Sequence, residues 1–174
     1  MPTLLDDLLA SPPLLRIRRN HALEHATIHV LSQRRPRTLL IGRSDPSGFF
    51  LYGEVDTKEV ERALTEAQAR LRQGERHLAL HPNCGTTYLT AGALAGGAAF
   101  FSLLGGRGRC WADRLARLPI VMLAATLAVV LAQPLGLALQ QRLTTQADLG
   151  SLQVRSVQRR TFGRATIHRI LTSD

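Results

Sequence analysis

Two long uncharged stretches limit what this chain can become. Residues 87–106, TYLTAGALAGGAAFFSLLGG, hold no charged side chain in twenty positions, and residues 118–139, LPIVMLAATLAVVLAQPLGLAL, hold none in twenty-two. At helical rise each reaches roughly 30 Å, the thickness of a bilayer core. A soluble domain would have to cover both helices on all sides, and a chain of 174 residues has little left to do so. The expectation is an integral membrane protein, with the lipid bilayer as its first partner. Mean hydropathy is near zero only because the rest of the chain is polar.

That polar remainder reads as α+β. Ser11, Pro12 and Pro13 suit the start of a helix over 12–33. RTLLIGR (37–43) reads as a strand, SDPSG (44–48) as a turn and FFLYGEV (49–55) as the returning strand. Asp56 with Glu59 opens a second helix whose apolar face is Val60, Leu64, Ala67 and Leu71, and Gly74 stops it. HLALH (77–81) alternates like a short strand. SLQVRSVQRR and GRATIHRIL, beyond the second span, read as two more. The expected fold class is thus a small mixed extramembrane unit with an inserted two-helix transmembrane hairpin. Its parts are an N-terminal α+β region over 1–86, a hairpin over 87–141 and completing strands over 142–174.

The chain carries 22 Lys+Arg against 13 Asp+Glu, and Lys58 is the one lysine. Such a balance fits nucleic acid or an anionic membrane surface. Beside two spans, the arginines of the C-terminal segment (Arg155, Arg159, Arg160, Arg164 and Arg169) point to anionic lipid headgroups. Stacking aromatics are nearly absent there, so no nucleic-acid partner is expected. Twelve basic residues precede the hairpin, four lie in its loop and six follow it. Carrying the long basic N-terminal tail across a membrane without a signal peptide is unfavourable, so both termini are expected in the cytoplasm. The four loop arginines argue the reverse. GALAG (92–96) is a small-xxx-small pattern suited to a homo-oligomer through the Gly92–Gly96 face, or else flexible filler. Cys84 and Cys110, at opposite ends of the first span, should not pair.

HALEH (21–25) carries the chemistry. On a helix His21 and His25 lie about 40° apart and one turn away from each other, so both imidazoles reach one ion, with Glu24 on the flank. This is the inverted-zincin arrangement: two histidine ligands and a glutamate base that takes a proton from a zinc-activated water. His29, two turns from His21, is too far along the axis to share that ion and reads as a supporting or surface group. A polar helix face would also read this way. A second pair comes from HPNCGT (81–86), where His81 and Cys84 sit on a Pro/Gly turn that gathers their side chains. Three ligands would make an open, catalytic zinc site, and four a closed, structural one. An inert buried cysteine at a helix entry is the other reading. Glu54, Glu59 and Glu61 are further ligand candidates, although each also fits a solvated helix start. His77 and His168 read as structural or exposed.

HALEHATIH followed by HPNCGT before a hydrophobic span resembles a family of uncharacterised bacterial membrane proteins. Its members pair H-x-x-E-H-K with H-P-x-C-G-T and are described as predicted metal-dependent enzymes. The chain is also similar to a smaller sister group, a domain-of-unknown-function family of cyanobacteria and related phyla. The resemblance covers residues 20–88 best. It implies a metal site at His21, His25, His81 and Cys84 with Glu24 as the catalytic base, and it supplies no substrate. Ala26 departs from the larger family's lysine. Three functions follow as expectations: a membrane zinc-dependent hydrolase of peptidase type, a non-catalytic membrane protein with a structural zinc, and a metal-free membrane adaptor.

Overall fold

A computed structural model describes residues 4–104, 111, 115–163 and 165–174. The fold is α+β, with five helices among the described residues and one four-stranded antiparallel sheet. The chain divides into two compact units, Met1–His81 with Gln141–Asp174, and Pro82–Gln140.

In the first unit a short helix α1 (Leu4–Leu9) precedes α2 (Pro12–Arg34). Ser11 does not cap α2. Pro12 and Pro13 have no N–H to offer it, and its hydroxyl donates instead to the Leu8 carbonyl at 2.6 Å. From Asn20 to Leu31 α2 is buried on nearly every side, and Asn20, Glu24, His25 and Thr27 are buried with it. Helix α3 (Thr57–Arg72) is amphipathic and turns Val60, Ala63, Leu64, Ala67 and Leu71 inward. Asp56 starts α3 through its carbonyl, which accepts from Glu59 and Val60, while its side chain makes no cap bond. Gly74, at φ +94°, ends the helix as expected of a C-terminal glycine.

Strand β1 (Ile41–Asp45) pairs with β2 (Gly48–Tyr52), β2 with β4 (Ala165–Ser173), and β4 with β3 (Gln153–Phe162), giving the order β1-β2-β4-β3. The first strand begins at Ile41, four residues later than the sequence suggests. Register is set by Phe49 and Leu51, which must point into the core, and the turn shrinks to Pro46 and Ser47 between the paired Asp45 and Gly48. Gly48 is required there: φ is +141°, and a Cβ would lie 2.0 Å from the Ile170 carbonyl oxygen. Phe49, Leu51 and Ile170 meet Leu23, Leu31, Leu64, Leu78, Leu149 and Leu152 in the core. On the opposite face Phe50 stacks near Tyr52 and lies 4.3 Å beneath the Arg169 guanidinium, which also pairs with Asp45 at 2.9 Å. Arg169 is therefore buried in the fold and does not belong to an exposed basic face. Arg155, Arg159 and Arg160 do lie exposed on edge strand β3, and Arg164 is outside the described residues.

HLALH is not a strand. Arg76–Ala79 forms a single 3-10 turn, held by local bonds from Leu78 N–H to Glu75 and from Leu80 N–H to His77. The apolar pair Leu78 and Ala79 is buried consecutively, so the alternation in the sequence marks no sheet face.

The second unit pairs α4 (Gly85–Leu104) with α5 (Leu118–Leu139). Both are long and apolar enough to cross a membrane. Gly136 admits Thr87 so closely that a Cβ would meet it at 2.9 Å, and Gln140 Nε2 donates to Thr87 Oγ1 at 2.8 Å. Phe101, Ile120, Met122 and Leu131 are among the many large apolar side chains left exposed. The expectation about Cys110 lies outside the described residues.

Candidate metal centre

The buried middle of α2 supplies the polar groups. One turn apart, the His21 and His25 rings approach to 4.3 Å between centroids. His21 Nδ1 lies 2.9 Å from the Thr144 carbonyl, and His25 Nδ1 lies 2.7 Å from that of Ala79. A carbonyl can only accept, so each ring donates from Nδ1. Ligating histidines are held in this way, with the non-ligating nitrogen fixed by a backbone or carboxylate oxygen. Burial, and then the neighbouring His21, holds His25 well below the ordinary 6.5, so it stays neutral and able to ligate.

His29 donates from Nε2 to the Leu80 carbonyl at 2.7 Å. His81 completes a row of rings, 5.7 Å from His25 and 5.0 Å from His29. Burial and the nearby His29 lower its pKa as well. The 3-10 turn is thus fastened to α2 by its own carbonyls: Ala79 holds His25 and Leu80 holds His29. That is the physical reason the segment does not join the sheet.

Glu24 is only 3% exposed. Its Oε2 accepts from Ser44 Oγ at 2.5 Å, and its Oε1 occupies the space beside Gly42, where a Cβ would stand 2.1 Å away. Desolvation raises its pKa, against the opposing pull of Ser44 and His21. Gly42 and Ser44, alternate residues of β1, form a cradle that the sequence reading missed. A glycine within a strand is a signal of close backbone approach and could have pointed to it.

Cys84 is buried, makes no disulfide among the described residues, and accepts from Thr87 and Tyr88 through its carbonyl at the start of α4. It stands three residues beyond His81, in the second unit. By donor chemistry His21, His25 and Cys84 could bind a metal ion. The candidate glutamates are engaged elsewhere or exposed: Glu59 pairs with Arg35 at 2.8 Å, Glu54 accepts from Thr166 at 3.5 Å, and Glu61 faces solvent. Of the remaining histidines, His77 is exposed, while His168 is buried in β4 with Nε2 3.2 Å from Thr57 Oγ1.

Comparison with known proteins gives a family without a described activity. An uncharacterised protein of Picosynechococcus sp. (strain PCC 7002) is 40% identical over 161 residues, covering 85% of this chain and 74% of that protein. No solved structure matches. The family described as "Domain of unknown function (DUF6391)" matches residues 16–157, so the chain belongs to that family.

Proposed function

We propose that the chain is an integral membrane protein with a zinc-dependent hydrolytic centre of peptidase type. His21, His25 and Cys84, with His81 as a further donor, hold the ion, and Glu24 acts as general base. One observation carries this reading: both imidazoles of H-A-L-E-H have their Nδ1 protons tied to backbone carbonyls, beside a buried carboxyl. Oriented histidines and a cysteine match the donor set zinc takes. Zinc would supply Lewis acidity. The chain's own part is to fix both rings through Nδ1, to hold His25 neutral by burial, and to bring a carboxyl of raised pKa beside them. Such a carboxyl is a stronger proton acceptor at neutral pH than an ordinary glutamate.

Two apolar helices with exposed side chains support membrane insertion. Arg155, Arg159 and Arg160 on the sheet edge suit anionic headgroups, with both termini cytoplasmic. Gly92 and Gly96 have open space around them and suit a homo-oligomeric contact.

The test is metal content and peptide hydrolysis of the full chain in detergent. The native protein should carry zinc, His25→Ala should lose it, and Glu24→Gln should keep the metal while hydrolysis of a fluorogenic peptide library falls at least 100-fold. A native protein without bound metal would overturn the reading. The His81 ring, 5.7 Å from His25, favours a second reading, a four-donor structural zinc. It is distinguished by Glu24→Gln leaving every property unchanged and by unfolding when Cys84 is replaced.

A further inference from the structure

The first unit contains a cleft of about 510 Å³ apart from the histidine row. One wall is the 3-10 turn, with Arg76, His77 and Ala79. The other is the segment after α5, with Gln141, Gln146 and Asp148. The volume is that of a site for a small organic ligand. Its lining is mostly polar, with two cationic or protonatable side chains on one wall, two amides on the other, and one carboxylate. Among the described residues, the side chains of Arg76, Gln141 and Gln146 make no hydrogen bond or ion pair. His77 is 4.0 Å from Glu75, too far for a hydrogen bond. The Asp148 side chain accepts from the Gly150 N–H at 3.0 Å, and its second oxygen remains for a ligand. The exposed donors of Arg76, His77 and Gln141 thus stand on both walls.

Chain connectivity says where this cleft lies. Gln141 lies in the π-helical turn Gln140–Thr144 that continues α5, the last turn of the apolar span Leu118–Thr144, so one wall of the cleft is continuous in sequence with that span. Arginine beside amide donors suits phosphate oxygens. Asp148 suits an ammonium group carried by the same molecule. A purely anionic ligand would meet Asp148 as a repulsive neighbour.

We infer that the cleft binds a phosphoester carrying an amine, the chemistry of a phosphoethanolamine headgroup, with Arg76 and His77 on the phosphate and Asp148 on the ammonium. The inference does not depend on the metal centre and stands whether or not zinc is bound.

The experiment uses the full chain in a non-ionic detergent and isothermal titration with three probes. These are dihexanoyl phosphatidylethanolamine, dihexanoyl phosphatidylglycerol and water-soluble O-phosphoethanolamine. The ethanolamine lipid should bind saturably and at least 10-fold more tightly than the glycerol lipid. Arg76→Gln should weaken it at least 10-fold, and Asp148→Asn should abolish the preference for the amine. Circular dichroism and the thermal midpoint of each variant establish that these surface changes leave the fold intact. If O-phosphoethanolamine binds as tightly as the lipid, the ligand is a soluble phosphoester. If the lipid is at least 10-fold tighter, it is a membrane headgroup. No saturable binding, or binding that Arg76→Gln leaves unchanged in folded protein, overturns the inference.

Discussion

Gly42 is what allows Glu24 to lie buried against β1. Any side chain at position 42 would collide with the carboxyl, since even a Cβ stands 2.1 Å from Oε1. Gly42→Ala should therefore destabilise the protein by about 1–3 kcal/mol, the usual cost of overpacking. The double variant Gly42→Ala/Glu24→Ala should recover most of that loss, and urea unfolding of the four proteins of the cycle measures the coupling. A coupling near zero would show that Glu24 lies elsewhere. A second expectation concerns pH in metal-free protein. His25 and His168 are buried, and burial holds both below the ordinary 6.5; His168 is lowered further by Arg159. The unfolded chain then binds protons that the fold refuses. Stability is fully present above about pH 6.5 and falls as pH drops below it, by at most about 1.4 kcal/mol per pH unit for each fully buried histidine. The raised pKa of Glu24 works the other way, relieving the fold as pH falls toward its ordinary 4.5. Denaturant midpoints between pH 5 and pH 8 check the sign. His25, Glu24 and His21 were legible as a group because helical spacing is local. Ser44 and the carbonyls of Ala79 and Thr144 were not, because nothing within a few residues announces a contact that arrives from twenty to more than a hundred positions away; Gly42 signals a close approach but not that Glu24 makes it.

Among the elements, those with a strong period were the legible ones. Helix α3 shows its buried face in its spacing, and the apolar runs of α4 and α5 state their length directly. The 3-10 turn at Arg76–Ala79 was misread because alternation over five residues fits any short half-buried segment. What decided it was that α2 histidines take the Ala79 and Leu80 carbonyls. Gln140 and Thr87 are a further case. Each reads as an isolated polar residue at the end of an apolar helix, yet they bond to each other at 2.8 Å, and both are buried. Thr87→Val keeps the shape and removes the acceptor. It should lower the stability of the hairpin by roughly 1 kcal/mol, in the range measured for polar contacts between membrane helices. Gly136→Leu should cost more, because Thr87 already fills the space a side chain would need. Unfolding in mixed detergent micelles ranks the two variants, and the reverse order would mean that the hydrogen bond, not the close approach, holds the helices together.

At the scale of the whole molecule, the first unit is built from two stretches of chain that the hairpin separates. Its sheet cannot form without both, because β2 at Gly48–Tyr52 pairs with β4 at Ala165–Ser173. The core likewise joins Leu23, Phe49 and Leu64 to Leu149, Leu152 and Ile170. A chain in which residues 82–140 are replaced by a short Gly/Ser linker should therefore fold into a water-soluble domain. Leu80 and Gln141 line one cleft, so a short linker can span the cut. Circular dichroism should keep the strand signal, and unfolding should remain a single cooperative transition. The same protein lacks Cys84 while keeping His21, His25 and His81. Its zinc affinity, set against that of full-length Cys84→Ala, separates the two roles the cysteine has been assigned. If Cys84 is a ligand, both proteins should lose zinc affinity by a similar factor, of order 100-fold or more, since a thiolate is among the strongest zinc donors. If the truncated domain binds zinc as tightly as the native chain, the ion is held by the three histidines alone. The H-P-N-C-G-T turn would then serve only to lead the chain into its first apolar helix.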